Sequence, residues 1–292
     1  MALDTSRPAT SVTAARQGRL LVLTALAMLA FAGNSVLCRL ALKATELDPL
    51  SFTAIRLISG AAMLWLLLRL RAPGARLGGG WAGGLALFVY ALCFSLAYVQ
   101  VETGAGALVL FGAVQLTMLL YGLARGERLS LGSGAGLLLA VVGLLALLLP
   151  GANAPPLPAC ALMAAAGIAW GVYSLLGKGA RDPLVVTTGN FLRALPIGLL
   201  ACLPRLAALR WDGQGALYAV LSGALASGLG YALWYSVLPR LPAVKAASVQ
   251  LSVPVLAALA GVLFLGEALS LRLVLCAVAV LGGVGCVLVA RR

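Results

Sequence analysis

Long apolar segments, each about 20 residues, limit the folds open to this chain more than any other feature of its sequence. At 1.5 Å per residue, a helix of that length crosses a hydrocarbon layer roughly 30 Å thick. The bilayer interior offers no water to backbone polar groups, so such segments cross it as helices. Only 10% of the residues are charged, against about 25% in soluble proteins. The sequence therefore predicts an all-α integral membrane protein.

Ten such segments follow one another, separated by short breaks rich in glycine and proline. The predicted transmembrane helices lie near 20–42, 50–70, 81–100, 103–124, 131–149, 157–177, 184–203, 214–237, 243–265 and 269–289. Residues 16–33 also have the basic start, apolar centre and small-residue end of a signal peptide. The apolar run continues through SVLCRLAL, which favours a spanning helix.

Two polar motifs occur once in each half of the chain. GERLSL (126–131) joins spans 4 and 5, and GEALSL (266–271) joins spans 9 and 10. DPL likewise precedes span 2 at 48–50 and span 7 at 182–184. Because five spans make one copy and five is odd, the second copy enters the membrane from the opposite side. The prediction is two inverted five-helix repeats, the architecture of many secondary transporters; the alternative is a duplicated scaffold without a transport role.

The repeat predicts how the chain is divided. The first repeat covers 20–149 and the second 157–289, with a linker at 150–156, a cytoplasmic N-terminal tail at 1–19 and a cytoplasmic C-terminus at 290–292. Fourteen Lys and Arg fall in the segments on the N-terminal side of the membrane and five on the other side, with Arg39 counted among the five. The positive-inside rule then places both termini in the cytoplasm. The net charge of +13 is expected to meet anionic lipid and not nucleic acid.

One stretch of the second half carries a resemblance to a known family. YALWYSVLPRLPAVKAASVQLSVPVLAALAGVLFLGEALSL (231–271) resembles the second signature half of the EamA-type drug/metabolite transporters, with Pro254 inside span 9 and Glu267 at its end. The first half is similar through AGNSVLCRLAL (32–42), Arg56 and Glu127, but span 4 lacks the proline. The resemblance implies a ten-helix exporter of metabolites in a bacterial inner membrane, closest to the amino-acid exporters, including the aromatic branch.

The residue types argue against an enzyme. The chain has no histidine, the eight acids lie in loops or at span ends, and the six cysteines are scattered without CxxC spacing. We therefore expect no catalytic residue, no metal site and no cofactor. A P-loop is absent as well, so ATP is not hydrolysed by this chain. Without an acid inside a span, movement down the substrate's own gradient is favoured over proton coupling.

Polar and aromatic side chains inside apolar helices mark a candidate substrate pathway. Aromatic rings offer stacking surfaces, and amides and hydroxyls can orient an ammonium and a carboxylate, although all of them also serve ordinary helix packing. The candidates are Asn34, Ser35, Tyr90, Tyr98, Gln115, Trp170, Tyr173, Tyr231, Trp234, Tyr235, Gln250 and Ser252. Candidates for a gating or structural role are Arg56, Glu127, Arg193, Pro254 and Glu267.

These features together predict an inner-membrane exporter of amino acids, including aromatic ones, or of related small metabolites, working by alternating access. The alternatives are export of drug-like organic cations, transport of nucleotide sugars and, from another class, a passive channel. The expected partners are the small-molecule substrate and membrane lipid. A monomer suffices for this mechanism, and the oligomeric state is left open.

Overall fold

A computed structural model describes residues 9–126, 130–149, 154–204, 209–241, 246 and 249–290, with the backbone alone for 9–16 and 290. Every regular element in these ranges is helical. The first seven helices are α1 (Ala9–Ala44), α2 (Pro49–Arg71), α3 (Trp81–Tyr98), α4 (Thr103–Ala124), α5 (Leu131–Leu148), α6 (Leu157–Gly177) and α7 (Pro183–Cys202). The eighth span comprises α8 (Gly213–Leu221), a π-helix (Ser222–Leu229), α9 (Gly230–Val237) and a 3-10 turn (Leu238–Arg240), and α10 (Ser252–Leu265) and α11 (Leu271–Ala290) complete the chain.

The described helices match the predicted spans closely, apart from the first and the ninth. Span 9 is predicted at 243–265, of which 243–245 and 247–248 lie outside the described residues, and α10 begins at Ser252. Nine are long and apolar enough to cross a membrane, and α10 is a shorter apolar helix, so ten spans are consistent with the structure. The prediction of an all-helical, multi-pass membrane protein is confirmed in the described residues. The first helix differs from the prediction, because α1 begins at Ala9 and not near residue 20. Helical backbone hydrogen bonding extends over polar residues that hydropathy alone does not assign to a span.

The motifs GERLSL and GEALSL form the same kind of helix junction. Gly126 follows α4 with φ of 88°, and Gly266 follows α10 with φ of 63°, a left-handed backbone that glycine adopts without a steric penalty. The hydroxyl of Ser130 accepts a hydrogen bond from the backbone N–H three residues later at 3.2 Å, and the hydroxyl of Ser270 does so at 3.1 Å. Each motif thus ends one helix and caps the next.

These two junctions lie at opposite ends of the molecule. The backbone N–H of Thr103, where α4 begins, donates to the carboxylate of Glu267 at 2.8 Å. Gly126 lies just past the other end of α4, which has 22 residues and is therefore about 33 Å long. We call the end that contains Glu267 the outer end and the end that contains Gly126 the inner end, after the predicted orientation.

The two DPL motifs start α2 and α7 in the same way. Asp48 accepts hydrogen bonds from the N–H groups two and three residues later at 2.9 and 3.0 Å, and Asp182 does so at 3.1 and 3.3 Å. The proline that follows each aspartate suits the first position of a helix. Asp182 also pairs with Arg71 at the inner end, and Asp48 accepts from the backbone N–H of Arg210 at the outer end at 2.9 Å.

Helix packing brings α1–α4 and α6–α10 around a common centre. α2 packs against α7 and the π-helix, α3 against α6 and α7, α4 against α6 and α10, and α1 against α8–α9 and α10, while α5 pairs with α11. Glycines lie where helices approach one another closely. A Cβ on Gly283 of α11 would lie 2.6 Å from the backbone nitrogen of Ala140 in α5. A Cβ on Gly228 of the π-helix would lie 2.9 Å from Cβ of Met63.

Candidate functional site

A small cavity lies among α1, α3, α4, α6, the eighth span and the segment before α10. Its volume is about 30 Å³, against the roughly 10–15 Å³ that one water molecule needs on the same measure. Its walls consist of Phe31, Asn34, Ser35, Tyr90, Phe94, Leu110, Phe111, Trp170, Ala226, Ser227, Tyr231 and Gln250. An amino acid is larger than this space, so the walls must move apart to admit one.

The cavity brings together six of the twelve predicted pathway residues, although they come from five separate parts of the chain. The six that line it are Asn34, Ser35, Tyr90, Trp170, Tyr231 and Gln250. The six that do not are Tyr98, Gln115, Tyr173, Trp234, Tyr235 and Ser252. The lining gives the position of each residue, and the functional role of each stays a prediction.

The residues outside the lining have other neighbours. Tyr98 is fully buried near the outer end, where its hydroxyl donates to the carbonyl of Thr103 at 3.3 Å. Trp234 packs edge-on against Phe31 at 6.2 Å, and the hydroxyl of Ser252 donates to a backbone carbonyl of its own segment at 2.7 Å. Gln115 is half-buried on α4 away from the cavity.

Six lining residues were not predicted. They are Phe31, Phe94, Leu110, Phe111, Ala226 and Ser227. Helical spacing could have found three of them, because side chains three or four residues apart share a helix face. Phe31 precedes Asn34 by three residues, and Phe94 follows Tyr90 by four. Ser227 precedes Tyr231 by four, across a π-helical segment that the sequence does not announce.

Aromatic rings form a continuous cluster on one side of the cavity. The ring of Trp170 lies 4.9 Å from that of Tyr90, 5.1 Å from that of Tyr231 and 5.2 Å from that of Tyr173. Trp170 and Tyr173 stack, whereas the other two pairs are tilted. Behind Trp170, the hydroxyl of Tyr173 donates to Thr187 at 3.4 Å. The cluster joins α3, α6 and α9 and offers ring faces to the cavity.

A hydrogen-bond chain forms the polar side. The hydroxyl of Ser222 donates to Oδ1 of Asn34 at 2.6 Å, and Nδ2 of Asn34 donates to the hydroxyl oxygen of Tyr90 at 3.4 Å. Arg56 donates to the same oxygen through Nη2 at 3.0 Å. All four side chains are buried. These hydrogen bonds hold the Tyr90 hydroxyl in place, because its oxygen accepts from two donors.

Arg56 lies directly behind the wall of the cavity. It is 2% exposed, its Nε donates to the hydroxyl of Ser227 at 3.3 Å, and its guanidinium lies 5.1 Å from the ring centre of Tyr90 and 4.9 Å from that of Phe94. Among the described residues, Nη1 of Arg56 has no hydrogen-bond partner and the guanidinium forms no ion pair. A buried positive charge without a counter-charge is costly in a protein interior.

Arg193 has a different environment. Its Nη1 donates to the backbone carbonyls of Gly78 at 2.7 Å and Gly189 at 2.9 Å, between α7 and the segment before α3. Counted from the two DPL motifs, Arg193 also does not occupy the position of Arg56. Arg56 is the eighth residue after Asp48, and the eighth residue after Asp182 is Asn190. That position thus carries a cation in the first half and a neutral amide in the second.

The structure corrects the sequence analysis on Arg39, which was counted in an outer segment. Arg39 is 6% exposed within α1, and its Nε donates to the Glu267 carboxylate at 3.2 Å. Its Nη1 donates to the carbonyls of Tyr98 and Val99, both at 2.8 Å. Glu267 is 8% exposed, so a buried ion pair joins the outer ends of α1, α3, α4 and α10. Its distant partners explain why local sequence did not reveal it.

Two gating or structural candidates remain. Glu127 falls outside the described residues, so its role stays a prediction. Pro254 is buried near the beginning of α10, where a missing N–H leaves no hydrogen bond unmade. Pro254 does not line the cavity.

A multi-pass helical bundle whose cavity is lined by aromatic rings and amides, with a buried guanidinium behind the wall, is typical of a membrane transporter. Residues 157–289 match the family described as the EamA-like transporter family. The chain belongs to this family, which confirms the resemblance seen in the sequence and the prediction that the protein is a transporter and not an enzyme.

The chain is also similar to individual proteins and to a solved structure. The chain is 62% identical over 274 residues to uncharacterized protein PA1977 of Pseudomonas aeruginosa, covering 94% of this chain and 96% of that one. It is 34% identical over 140 residues to the threonine/homoserine exporter RhtA of Escherichia coli K12, covering 45% of this chain and 46% of RhtA. A crystal structure of a protein at 22% identity covers 94% of this chain and 99% of its own with a TM-score of 0.67, which shows a shared fold alone.

Proposed function

We propose that this protein is a bacterial inner-membrane exporter of amino acids, including aromatic ones, or of related small metabolites. The observation that carries the proposal is the composition of the central cavity. Tyr90, Trp170 and Tyr231 contribute aromatic rings to its lining, and Asn34 and Ser35 contribute polar groups. A zwitterion with an apolar side chain needs both kinds of surface. The partial match to an Escherichia coli threonine/homoserine exporter supports the same substrate class.

The proposed mechanism is alternating access by two inverted repeats, 20–149 and 157–289. The most extensive helix contacts support it, because they recur when each span is exchanged for its repeat partner. Span 3 packs on span 6 as span 8 packs on span 1, and span 4 packs on span 6 as span 9 packs on span 1. The opposite placement of the Gly126 and Gly266 junctions is what an inversion requires. In such a design either half can open while the other closes.

Single-cysteine labelling tests the inversion. In a background with all six native cysteines replaced, a cysteine at Ser130 should react with a membrane-impermeant maleimide only from the cytoplasmic face. A cysteine at Ser270 should react only from the outer face, and cysteines at Arg71 and Arg210 serve as matched controls for the two ends. Labelling of Ser130 and Ser270 positions from the same face would contradict the inverted repeat.

Counterflow in proteoliposomes tests the function itself. Vesicles preloaded with unlabelled L-phenylalanine or L-threonine should transiently accumulate the same labelled amino acid above equilibrium. A passive channel cannot do this, because it has no substrate-bound state that returns across the membrane. Unlabelled organic cations and nucleotide sugars test the two alternative substrate classes as competitors. Competition by these and not by amino acids would contradict the proposed substrate.

We also propose that transport follows the substrate's own gradient. Glu267 is already paired with Arg39, and the other described acids lie in loops or cap helices. Counterflow should therefore proceed with no imposed pH or sodium gradient. A strict requirement for protons would contradict this and point to Glu127 or Glu267 as the coupling residue.

A further inference from the structure

Arg56 presents an unbalanced charge beside the cavity. Its Nη1 has no partner among the described residues, and the described carboxylates are engaged or lie at the ends of the bundle. The rings of Tyr90 and Phe94 offset part of the desolvation cost through cation–π contact. They do not replace an anion. The state that restores charge balance is one in which a negative group reaches Nη1.

We infer that Arg56 binds the carboxylate of the transported substrate. The inference rests on the proposed function, because it assigns the substrate's anionic group to one side chain of that cavity. Two of the guanidinium nitrogens are already held by Tyr90 and Ser227, which line the cavity wall. The third nitrogen is thus positioned without a partner, and guanidinium matches the planar geometry of a carboxylate.

Tyr90 supplies a second donor for the same group. Its hydroxyl oxygen accepts hydrogen bonds from Asn34 and from Arg56, so its own proton is free to point elsewhere. A carboxylate beside Nη1 accepts from both Arg56 and Tyr90. Asn34 and Ser222 hold the Tyr90 hydroxyl in this arrangement, and neither is hydrogen-bonded to Arg56. They are positioning residues for the Tyr90 hydroxyl.

The aromatic cluster completes the substrate pose. The ring centre of Trp170 lies 4.9 Å from that of Tyr90 and 5.1 Å from that of Tyr231, and all three rings line the cavity. An ammonium or an aromatic side chain lies against these ring faces when the carboxylate is at Arg56. Because the empty cavity holds about 30 Å³, separation of the walls accompanies binding. The carboxylate is the fixed end of the ligand.

Four compounds that share a phenyl group test the assignment on the purified full-length protein. They are L-phenylalanine, 3-phenylpropionate, phenethylamine and phenyl phosphate, and the readout is the rise in unfolding temperature with ligand concentration. Both carboxylates should stabilise the protein and phenethylamine should not. Equal stabilisation by phenethylamine, preferential stabilisation by phenyl phosphate, or no shift with any compound would each overturn the assignment.

Variants locate the effect on Arg56. Arg56→Gln should raise the half-saturating concentration of both carboxylates at least about thirtyfold, and Arg56→Lys should fall in between because it keeps the charge without the planar fork. Arg272→Gln is the matched control, because Arg272 donates to the carbonyls of Ala146 and Leu149 at the outer end, away from the cavity. It should keep the wild-type ligand order. Wild-type affinity in Arg56→Gln would overturn the inference.

The outcome separates this inference from the proposed function. If amino acids undergo counterflow and Arg56→Gln binds them as the wild type does, the inference fails and the exporter stands. If no amino acid undergoes counterflow but 3-phenylpropionate binds in an Arg56-dependent way, the exporter proposal fails and the carboxylate site stands. If Arg56→Gln does not fold, the comparison of the four compounds on the wild-type protein still tests the inference.

Discussion

Two arginines are buried in the first half of the chain, and their surroundings differ. Arg39, near the outer end, has the Glu267 carboxylate at 3.2 Å and two backbone carbonyls at 2.8 Å. Arg56, beside the cavity, has two hydroxyl partners, two ring faces and one nitrogen without a partner. Both are less than 7% exposed, so burial does not distinguish them.

The two guanidinium groups differ in whether a counter-charge lies beside them. Arg39 has the Glu267 carboxylate as its counter-charge, and removing that carboxylate leaves a buried cation unbalanced. Arg56 has no carboxylate partner among the described residues, and an unsatisfied buried group is tolerated where function requires it. The comparison predicts opposite responses to mutation: loss of folded protein at the outer end, and loss of ligand recognition with an intact fold at the cavity.

The largest expected effect is at the ion pair. Glu267→Ala leaves Arg39 buried without a counter-charge and removes the acceptor for the Thr103 N–H, so it should destabilise the fold by about 3–5 kcal/mol. The fraction of monodisperse protein after mild heating measures this loss. Glu46→Ala is the control, because its pair with Arg210 is exposed and contributes little. Equal behaviour of the two variants would remove the distinction between the outer end and the surface.

A smaller, selective effect is expected at the aromatic cluster. Trp170→Ala should reduce counterflow of L-phenylalanine by up to about tenfold relative to L-threonine, because ring contacts contribute roughly 0.5–1.5 kcal/mol beyond area burial. Relative rates at equal protein content measure it.

Tyr98→Phe is the companion variant, since Tyr98 is buried outside the cavity. It should keep the wild-type ratio of the two rates. Equal loss for both amino acids in Trp170→Ala would show that Trp170 supports the transport cycle without reading the side chain. Loss of folded protein would show that it serves packing.

Arg56→Met should change the free energy of unfolding by less than about 1 kcal/mol, or raise it. The substitution removes a buried charge that has no counter-charge, and methionine fills a similar volume. Unfolding temperature without ligand measures it, beside Glu267→Ala. A loss as large as that of Glu267→Ala would show that Arg56 is a structural member of the bundle, and the contrast between the two arginines would collapse.

The smallest effect concerns Glu102, an exposed carboxylate beside the same outer junction. Partial burial raises the pKa of the Glu102 carboxyl, Glu267 raises it further, and Arg39 and Lys43 oppose the shift. The folded state thus binds this proton more tightly than the unfolded state, so the favourable contribution exists at low pH and is lost as pH rises through the raised pKa. Glu102→Gln should gain slightly in unfolding temperature over wild type at about pH 7 but not at about pH 4. The reverse order would contradict the sign of this shift.

Sequence reasoning recovered the spans because hydropathy acts over about 20 residues and each break carries Gly, Pro or a cap. It also singled out the Gly126 and Gly266 junctions before their positive φ angles were visible. It missed the early beginning of α1, because residues 9–19 are helical without being apolar. The π-helix was not predicted, because its geometry depends on neighbouring helices: Gly228 packs on Met63 of α2.

The cavity could be predicted only in part, for a similar reason. Asn34, Tyr90 and Trp170 stand out as polar or aromatic in apolar helices, whereas Leu110 and Ala226 resemble every other packing residue. The pair of Arg39 with Glu267 is separated by 228 positions, so no local pattern reveals it. Spans are a property of composition, but partnerships between side chains depend on how the helices come together.

Because 228 positions separate Arg39 from Glu267, the cation is synthesised well before its partner. Arg39 leaves the ribosome and enters the bilayer with α1, long before the residue that neutralises it has been translated. Until the last two helices arrive, the nascent chain carries a cation near a helix end with only lipid head groups, water and the α3 carbonyls to solvate it. Completion of the C-terminal helices therefore locks the first helix in place.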